Sequence, residues 1–243
     1  MKVLVVCDNI YVIDRLRAVF DDKAGAEVTV DYKYSSRESP VSKHPLLKAA
    51  SAHIDVKANC DSIIETYDLV ISAHCLQFFP KKLIEGVRCV NVHPGYNPIN
   101  RGWYPQVFSI IHGLPVGATI HEMDSKLDNG AIIVRTFVDK YAWDTSYTLY
   151  NRILEKEIEL FEVHFQEIIY GGYVPIQPEN EGNMFRKKDF DTLCQLDLNE
   201  QGNMRDLLNK LRALSHGNYK NAYFFDEEGN KVFVKVDLEK VDK

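Results

Sequence analysis

Residues 2–7 read KVLVVC, an apolar run with no polar alternation. A strand of that kind is buried on both faces, and such strands belong to parallel sheets covered by helices on each side. Asp8 and Asn9 follow, residue types suited to capping a helix, and Ile10, Ile13, Leu16, Arg17 and Phe20 then recur at roughly helical spacing. Residues 26–32 read as a second strand. A strand, a helix and a strand in this order imply an α/β chain: a Rossmann-like, doubly wound, mostly parallel sheet. No glycine stands between the first run and Gly25, so the glycine-rich turn that seats a dinucleotide is missing and a nicotinamide cofactor is not expected.

The same patterning predicts strands over 53–56, 68–73 and 88–92, with short helices after the loop at 35–48 and over 81–86. An amphipathic run covers 103–112, with Val107, Ile110 and Ile111 on one face. Strands over 116–123 and 131–139 flank a short polar turn and read as an antiparallel hairpin. Asp144-Thr145-Ser146 caps a long helix over 147–169 that ends at Gly171-Gly172. Residues 174–183 are rich in Pro, Gly, Asn and Glu, and divide the chain into a catalytic domain at 1–178 and an appendage at 179–243. The appendage holds a short segment at 184–190, an Asn-capped helix over 204–214 and a terminal hairpin of 222–226 and 231–238.

Open parallel sheets bind ligands at the carboxyl ends of their strands. The strand at 88–92 delivers Asn91 and His93, two apart and therefore on one face, before Pro94-Gly95 turns the chain. A carboxamide donates to a developing oxyanion, and an imidazole moves a proton near neutral pH. A carboxylate would orient that imidazole, and Asp128, on the turn of the next hairpin, is the candidate. Asp124 is a nearby carboxylate outside the Leu127-Asp128-Asn129-Gly130 context.

Asn91-Val92-His93-Pro94, then Arg101-Gly102 before a helix, then His121 and Leu127-Asp128-Asn129-Gly130, together resemble the folate-dependent formyltransferases. The resemblance covers roughly the first two thirds of the chain. Where many members carry Ser-Leu-Leu-Pro after His-Pro, this chain has Gly95-Tyr96-Asn97-Pro98, a form most similar to the sugar N-formyltransferases acting on dTDP-linked 4-amino-4,6-dideoxyglucose. The resemblance implies a formyl donor, 10-formyltetrahydrofolate, and a nucleotide-linked amino sugar as acceptor, in the making of an outer polysaccharide. It implies Asn91, His93 and Asp128 as catalytic residues. Leu76, Gln77, Phe78, Asp124 and Leu127 would border the folate, although Phe78 and Phe79 also suit simple core packing. Tyr96, Asn97, Arg101, Trp103, Tyr104, His216, Tyr219, Asn221 and Tyr223 are substrate contacts; helix packing for Trp103 and Tyr104, and hairpin packing for Tyr219 and Tyr223, are the competing roles. Methionyl-tRNA or glycinamide ribonucleotide formyltransfer, or a non-catalytic nucleotide-binding module of the same fold, are the alternatives.

Composition narrows these. The net charge of −6 counts against a tRNA substrate, whose phosphates call for a basic face. The cysteines at 7, 60, 75, 89 and 194 show neither a disulfide framework nor zinc spacing, and the histidines no metal spacing, so no metal is expected and the compartment is cytoplasmic. No apolar run reaches the roughly 18 residues of a membrane span. The terminal hairpin carries Phe224, Phe225, Val232, Phe233, Val234 and Val236 but is too small to fold alone. Pairing of two such hairpins predicts a two-fold homodimer.

Overall fold

β1 (Lys2–Cys7) is an interior strand of the sheet, with residues 3–7 wholly buried. Its side chains alternate between two cores: Val3, Val5 and Cys7 face one, Leu4 and Val6 the other. The computed structural model describes residues 1–178 and 180–241. α1 (Ile10–Lys23) starts at Asn9, whose side chain accepts the Val12 N–H, and buries Val12, Ile13, Leu16, Val19 and Phe20. A turn at 25–28, closed by Val28 N–H to the Gly25 carbonyl, occupies the expected start of the second strand, so β2 runs over Thr29–Tyr34. α2 (Pro40–Lys43) and α3 (Pro45–Ala50) then lead to β3 (Ala52–His53), shorter and earlier than predicted. α4 (Cys60–Thr66), β4 (Leu69–Ala73), α5 (Lys81–Gly86) and β5 (Arg88–His93) complete the parallel part.

After β5 the chain makes the two-residue strand β6 (Arg101–Gly102) and α6 (Pro105–Ile111). Trp103 and Tyr104 precede this helix, which begins at Pro105, where a missing N–H costs nothing. β7 (Gly117–Glu122) and β8 (Ile132–Phe137) form the predicted antiparallel hairpin. Among the described residues the sheet has seven strands in the order β3-β2-β1-β4-β5-β7-β8, parallel up to β5 and antiparallel beyond it. The predicted long helix is two helices, α7 (Ser146–Val163) and α8 (Phe165–Tyr170), joined at His164, where ψ is 24°.

The C-terminal part comprises β9 (Met184–Phe185), α9 (Lys187–Cys194), α10 (Met204–Leu214), β10 (Tyr223–Phe225) and β11 (Lys231–Phe233). The boundary drawn at 178/179 touches Glu179, which lies outside the described residues, as do residues 242 and 243 of the appendage. Beyond it, β9 pairs with β6 across the chain, and Phe190, Cys194, Ala213, Leu214 and Ala222 share one apolar cluster with α6 and α7. Arg212 on α10 donates to the carbonyls of Tyr141 and Asp144, while Arg152 grips the buried Asp144 carboxylate through both oxygens. The terminal helix is thereby tied to the body that carries the sheet.

Candidate active site

Asn91 and His93 project from one face at the carboxyl end of β5, which β4 and β7 flank. The turn between β7 and β8 brings Asp128 to that face. Asp128 has φ +48°, a left-handed conformation that Asp tolerates better than most residues. Its carboxylate is fixed on both oxygens: Oδ2 accepts the Gly102 N–H at 3.0 Å, and Oδ1 accepts Asn91 Nδ2 at 3.0 Å. Its carbonyl accepts Asn97 Nδ2 at 2.9 Å. Gly130 lets the turn close, because a Cβ there would lie 1.8 Å from the Glu122 carbonyl oxygen.

His93 Nδ1 lies 3.6 Å from Asp128 Oδ2, and its Nε2 is buried without a hydrogen-bond partner. Gly95 keeps that nitrogen clear, since a Cβ there would stand 2.5 Å from it. An imidazole beside a carboxylate, with one nitrogen unengaged, is arranged to take up a proton and hold the charge.

His121 supports the third member. Its Nδ1 donates to the Glu122 carbonyl at 2.7 Å, so Nε2 is the acceptor, 3.3 Å from Asn91 Nδ2. Burial holds His121 below the usual imidazole range against the pull of Asp128, which keeps the ring neutral. Asp128 Oδ1 and His121 Nε2 are 3.8 Å apart. From Asn91 Nδ2 they subtend less than a right angle, whereas the two N–H bonds of a carboxamide diverge by roughly 120°. The two Nδ2 hydrogens thus reach these neighbours through bent bonds, and a ligand oxygen has to compete with them for one.

A second polar group stands at the end of the adjacent strand. His74, at φ +57°, places Nε2 2.8 Å from Glu157 Oε2 and Nδ1 3.1 Å from the Tyr150 hydroxyl. Asn9 Nδ2 donates to the same hydroxyl at 3.4 Å. Asp8 meanwhile accepts the backbone N–H groups of Ser35, Ser36 and Leu76, fixing the loop that follows β4. Both polar groups border one cavity of about 500 Å³.

The family model described as formyl transferase matches residues 12–163, and that of the N-formyltransferase dimerization C-terminal domain matches 189–240. The chain belongs to the formyl transferase family. It is 50% identical over 202 residues to the dTDP-4-amino-4,6-dideoxyglucose formyltransferase of Mycobacterium tuberculosis, spanning 83% of this chain and 85% of that protein. A 4-N formyltransferase from Francisella tularensis has a TM-score of 0.93 at 40% identity, over 99% of this chain and 98% of that one. A sugar N-formyltransferase from a Shewanella species has a TM-score of 0.95 at 40% identity, over 100% and 99%.

In this formyltransferase the cavity is lined by Asn91, His93 and Asp128, by Leu76, Gln77, Phe78 and Leu127, and by Trp103, Tyr104, His216, Tyr219 and Asn221. Five residues expected at ligands do not line it. Tyr96 stacks on Phe137 at 3.8 Å under the Arg135 guanidinium. Asn97 and Arg101 turn inward to hold the Asp128 turn, Arg101 through the Asn129 side chain at 2.6 Å. Asp124 caps the same turn, accepting Lys126 N–H and Asn129 Nδ2. Tyr223 packs at the terminal hairpin against Phe225 and Phe233. The Gln77 side chain also points away from the cavity's reactive end, bonding Val56 N–H and the Ser35 carbonyl.

Sequence reasoning missed Asn9, His74, Tyr150 and Glu157. The signal for Glu157 was present: it falls on the helical face of Leu149, Ile153 and Phe161, where a charge has no solvent.

Proposed function

We propose that this formyltransferase moves a formyl group from 10-formyltetrahydrofolate to the amine of dTDP-4-amino-4,6-dideoxyglucose. The observation that carries the reading is the 50% identity, over 83% of the chain, to a Mycobacterium tuberculosis enzyme named for that activity. The residues fit the donor. Leu76 and Phe78 remain more than half exposed at the cavity, unusual for such side chains, and with Met123 and Leu127 they make an apolar slot for a planar ring. Trp103, Tyr104, His216 and Tyr219 offer aromatic faces to a nucleobase.

10-Formyltetrahydrofolate supplies the formyl carbon. Asn91 turns an N–H to the formyl oxygen as negative charge develops there, a contribution on the order of 3 kcal/mol. His93 Nε2 accepts the proton released as the sugar amine attacks and passes it to the folate nitrogen as the bond from that nitrogen to the formyl carbon breaks and tetrahydrofolate leaves, while Asp128 holds the imidazole and stabilises its charged form. Assay against a panel of acceptors tests the reading. Transfer to dTDP-4-amino-4,6-dideoxyglucose is expected to exceed that to the 3-amino isomer, glycinamide ribonucleotide or methionyl-tRNA by roughly a hundredfold or more in kcat/KM. Comparable rates on either of the last two would reject it.

The cysteines are all free, and no helix among the described residues is long and apolar enough to cross a membrane. We place the reaction in the cytoplasm. We also propose a homodimer through the terminal hairpin, where Phe225, Val232 and Phe233 are exposed and a dimerization-domain family model matches. Phe233→Asp is expected to shift the protein from dimer to monomer in sedimentation at micromolar concentration; a dimer unaffected by that change places the interface elsewhere.

A further inference from the structure

Residues 180–185 lie between the two spans that the family models match, 12–163 and 189–240, and begin in a stretch whose composition reads as a linker. Their bonding is that of a core element. The Asn183 N–H donates to the Pro98 carbonyl at 3.2 Å, and the Asn183 carbonyl accepts the Arg101 N–H at 3.0 Å. The Asn183 side chain closes a ring of its own with one residue: Oδ1 accepts the Asn100 N–H at 2.8 Å, and Nδ2 donates to Asn100 Oδ1 at 2.7 Å.

No titratable group enters this ring, so its directions are fixed. A backbone N–H can only donate, which puts the oxygen of the Asn183 carboxamide at the Asn100 N–H and its nitrogen at Asn100 Oδ1. Asn100 Nδ2 then donates to Ser109 Oγ at 2.8 Å, and that hydroxyl donates to the Pro115 carbonyl at 3.0 Å. Asn100 is 1% exposed and stands at φ +53°, a conformation that Asn tolerates. A buried network with its members satisfied is rigid, and Asn100 is a fixed point of the chain. Gly102 lies two residues further on. Along β6 successive N–H groups point to opposite edges. Those of Arg101 and Trp103 go to β9 and the residue before it, meeting the carbonyls of Asn183 and Phe185 at 3.0 and 2.9 Å. That of Gly102 goes the other way, to Asp128 Oδ2 at 3.0 Å. Oδ2 is also the oxygen 3.6 Å from His93 Nδ1.

We propose that Asn183 is a positioning residue for formyl transfer: from the appendage, through Asn100 and β6, it fixes the Gly102 N–H that holds the Asp128 carboxylate beside His93. This rests on the reading of Asp128 as the carboxylate that serves His93. The segment that reads as a linker is in this account a part of the active site's frame, and the sheet domain is incomplete without it.

Steady-state kinetics on the full chain, with 10-formyltetrahydrofolate and dTDP-4-amino-4,6-dideoxyglucose varied, test it. Asn183→Ala is expected to lower kcat about tenfold, below the roughly hundredfold that a misplacement of about 1 Å can cost. The acceptor KM is expected to stay within about threefold of wild type. Asp128→Asn is expected to lower kcat about a hundredfold or more, and Asn183→Ala added to it to change kcat by less than about twofold, since both act through one carboxylate. A purely structural loss would multiply instead, so a further loss approaching tenfold in the double variant overturns the proposal. Wild-type kcat in Asn183→Ala also overturns it. Amide hydrogen exchange in the wild-type chain gives a test that needs no variant to fold. The Gly102 amide is expected to exchange within about threefold of those of Arg101 and Trp103, after correction for sequence, because release of β9 frees all three. A difference of about tenfold in either direction shows that the Gly102–Asp128 bond opens independently of β9, and overturns the proposal. Wild-type kcat in Asp128→Asn overturns this and the reading of Asp128 together; failure of Asn183→Ala alone leaves that reading standing.

Discussion

His74 and His93 occupy matching places in the sheet. β4 and β5 pair in parallel with Ala73 beside Val92, so each histidine is the next residue along its strand, and each has a carboxylate from a later element. They differ in what their rings have left to offer. His74 has both nitrogens engaged, one at 2.8 Å from a carboxylate with no solvent exposure. His93 sits 3.6 Å from Asp128 and keeps Nε2 without a partner. A fully bonded imidazole has no site from which to take a substrate proton; it can only hold another group in place. A ring with one open nitrogen can exchange a proton. The same pair of residue types is thus fully hydrogen-bonded at one strand end and half open at the next, and that difference in occupancy is what suits His93 to the proposed chemistry.

This contrast can be broken on the His93 side first. Asn91→Ala removes the carboxamide proposed to meet the formyl oxygen and is expected to lower kcat by roughly 10²–10³ with the fold intact. Near-normal turnover would remove Asn91 from the chemistry. Gly95→Ala puts a methyl where His93 Nε2 now has room, and a displaced imidazole is expected to cost up to about a hundredfold in kcat. An unaffected kcat would show that the clear space around Nε2 has no role.

The smallest effect is on stability. Burial lowers the folded-state pKa of His121 and of His216 below the ordinary value of 6.5. Below that pH the unfolded chain binds more protons than the folded one, so stability is complete above it and falls as pH drops toward the folded-state values. Each group contributes a slope of at most about 1.4 kcal/mol per pH unit in that window. Denaturant melts from pH 7 to pH 5 are expected to show this decline, and His121→Gln to flatten it. An equal slope in that variant would show that His121 is not the group being protonated.

Much of this was written locally. The apolar runs of β1 and β4 announce strands buried on both faces, and Asn9 and Asn203 mark where α1 and α10 begin. Asn91, His93 and Asp128 were legible as a group because strand periodicity puts two on one face and a hairpin turn returns the third. The pairing of β6 with β9 was not, because two-residue strands carry no period and the partners lie 83 positions apart. α9 was read only as part of a short segment. Asn97 and Arg101 look like ligand-facing loop residues in sequence, but the Asp128 turn has backbone groups that need partners, and they supply them. His74 was visible at a strand end, yet nothing nearby in the chain disclosed its carboxylate, 83 residues on.

The division of labour between the two histidines is tested most directly by steady-state kinetics with both substrates varied. His93→Gln is expected to lose a hundredfold or more in kcat. Glu157→Leu is expected to keep kcat within about tenfold of wild type, because a ring with both nitrogens engaged takes no substrate proton. Equal falls in kcat for the two variants, or a His93→Gln enzyme that turns over at the wild-type rate, would contradict the account.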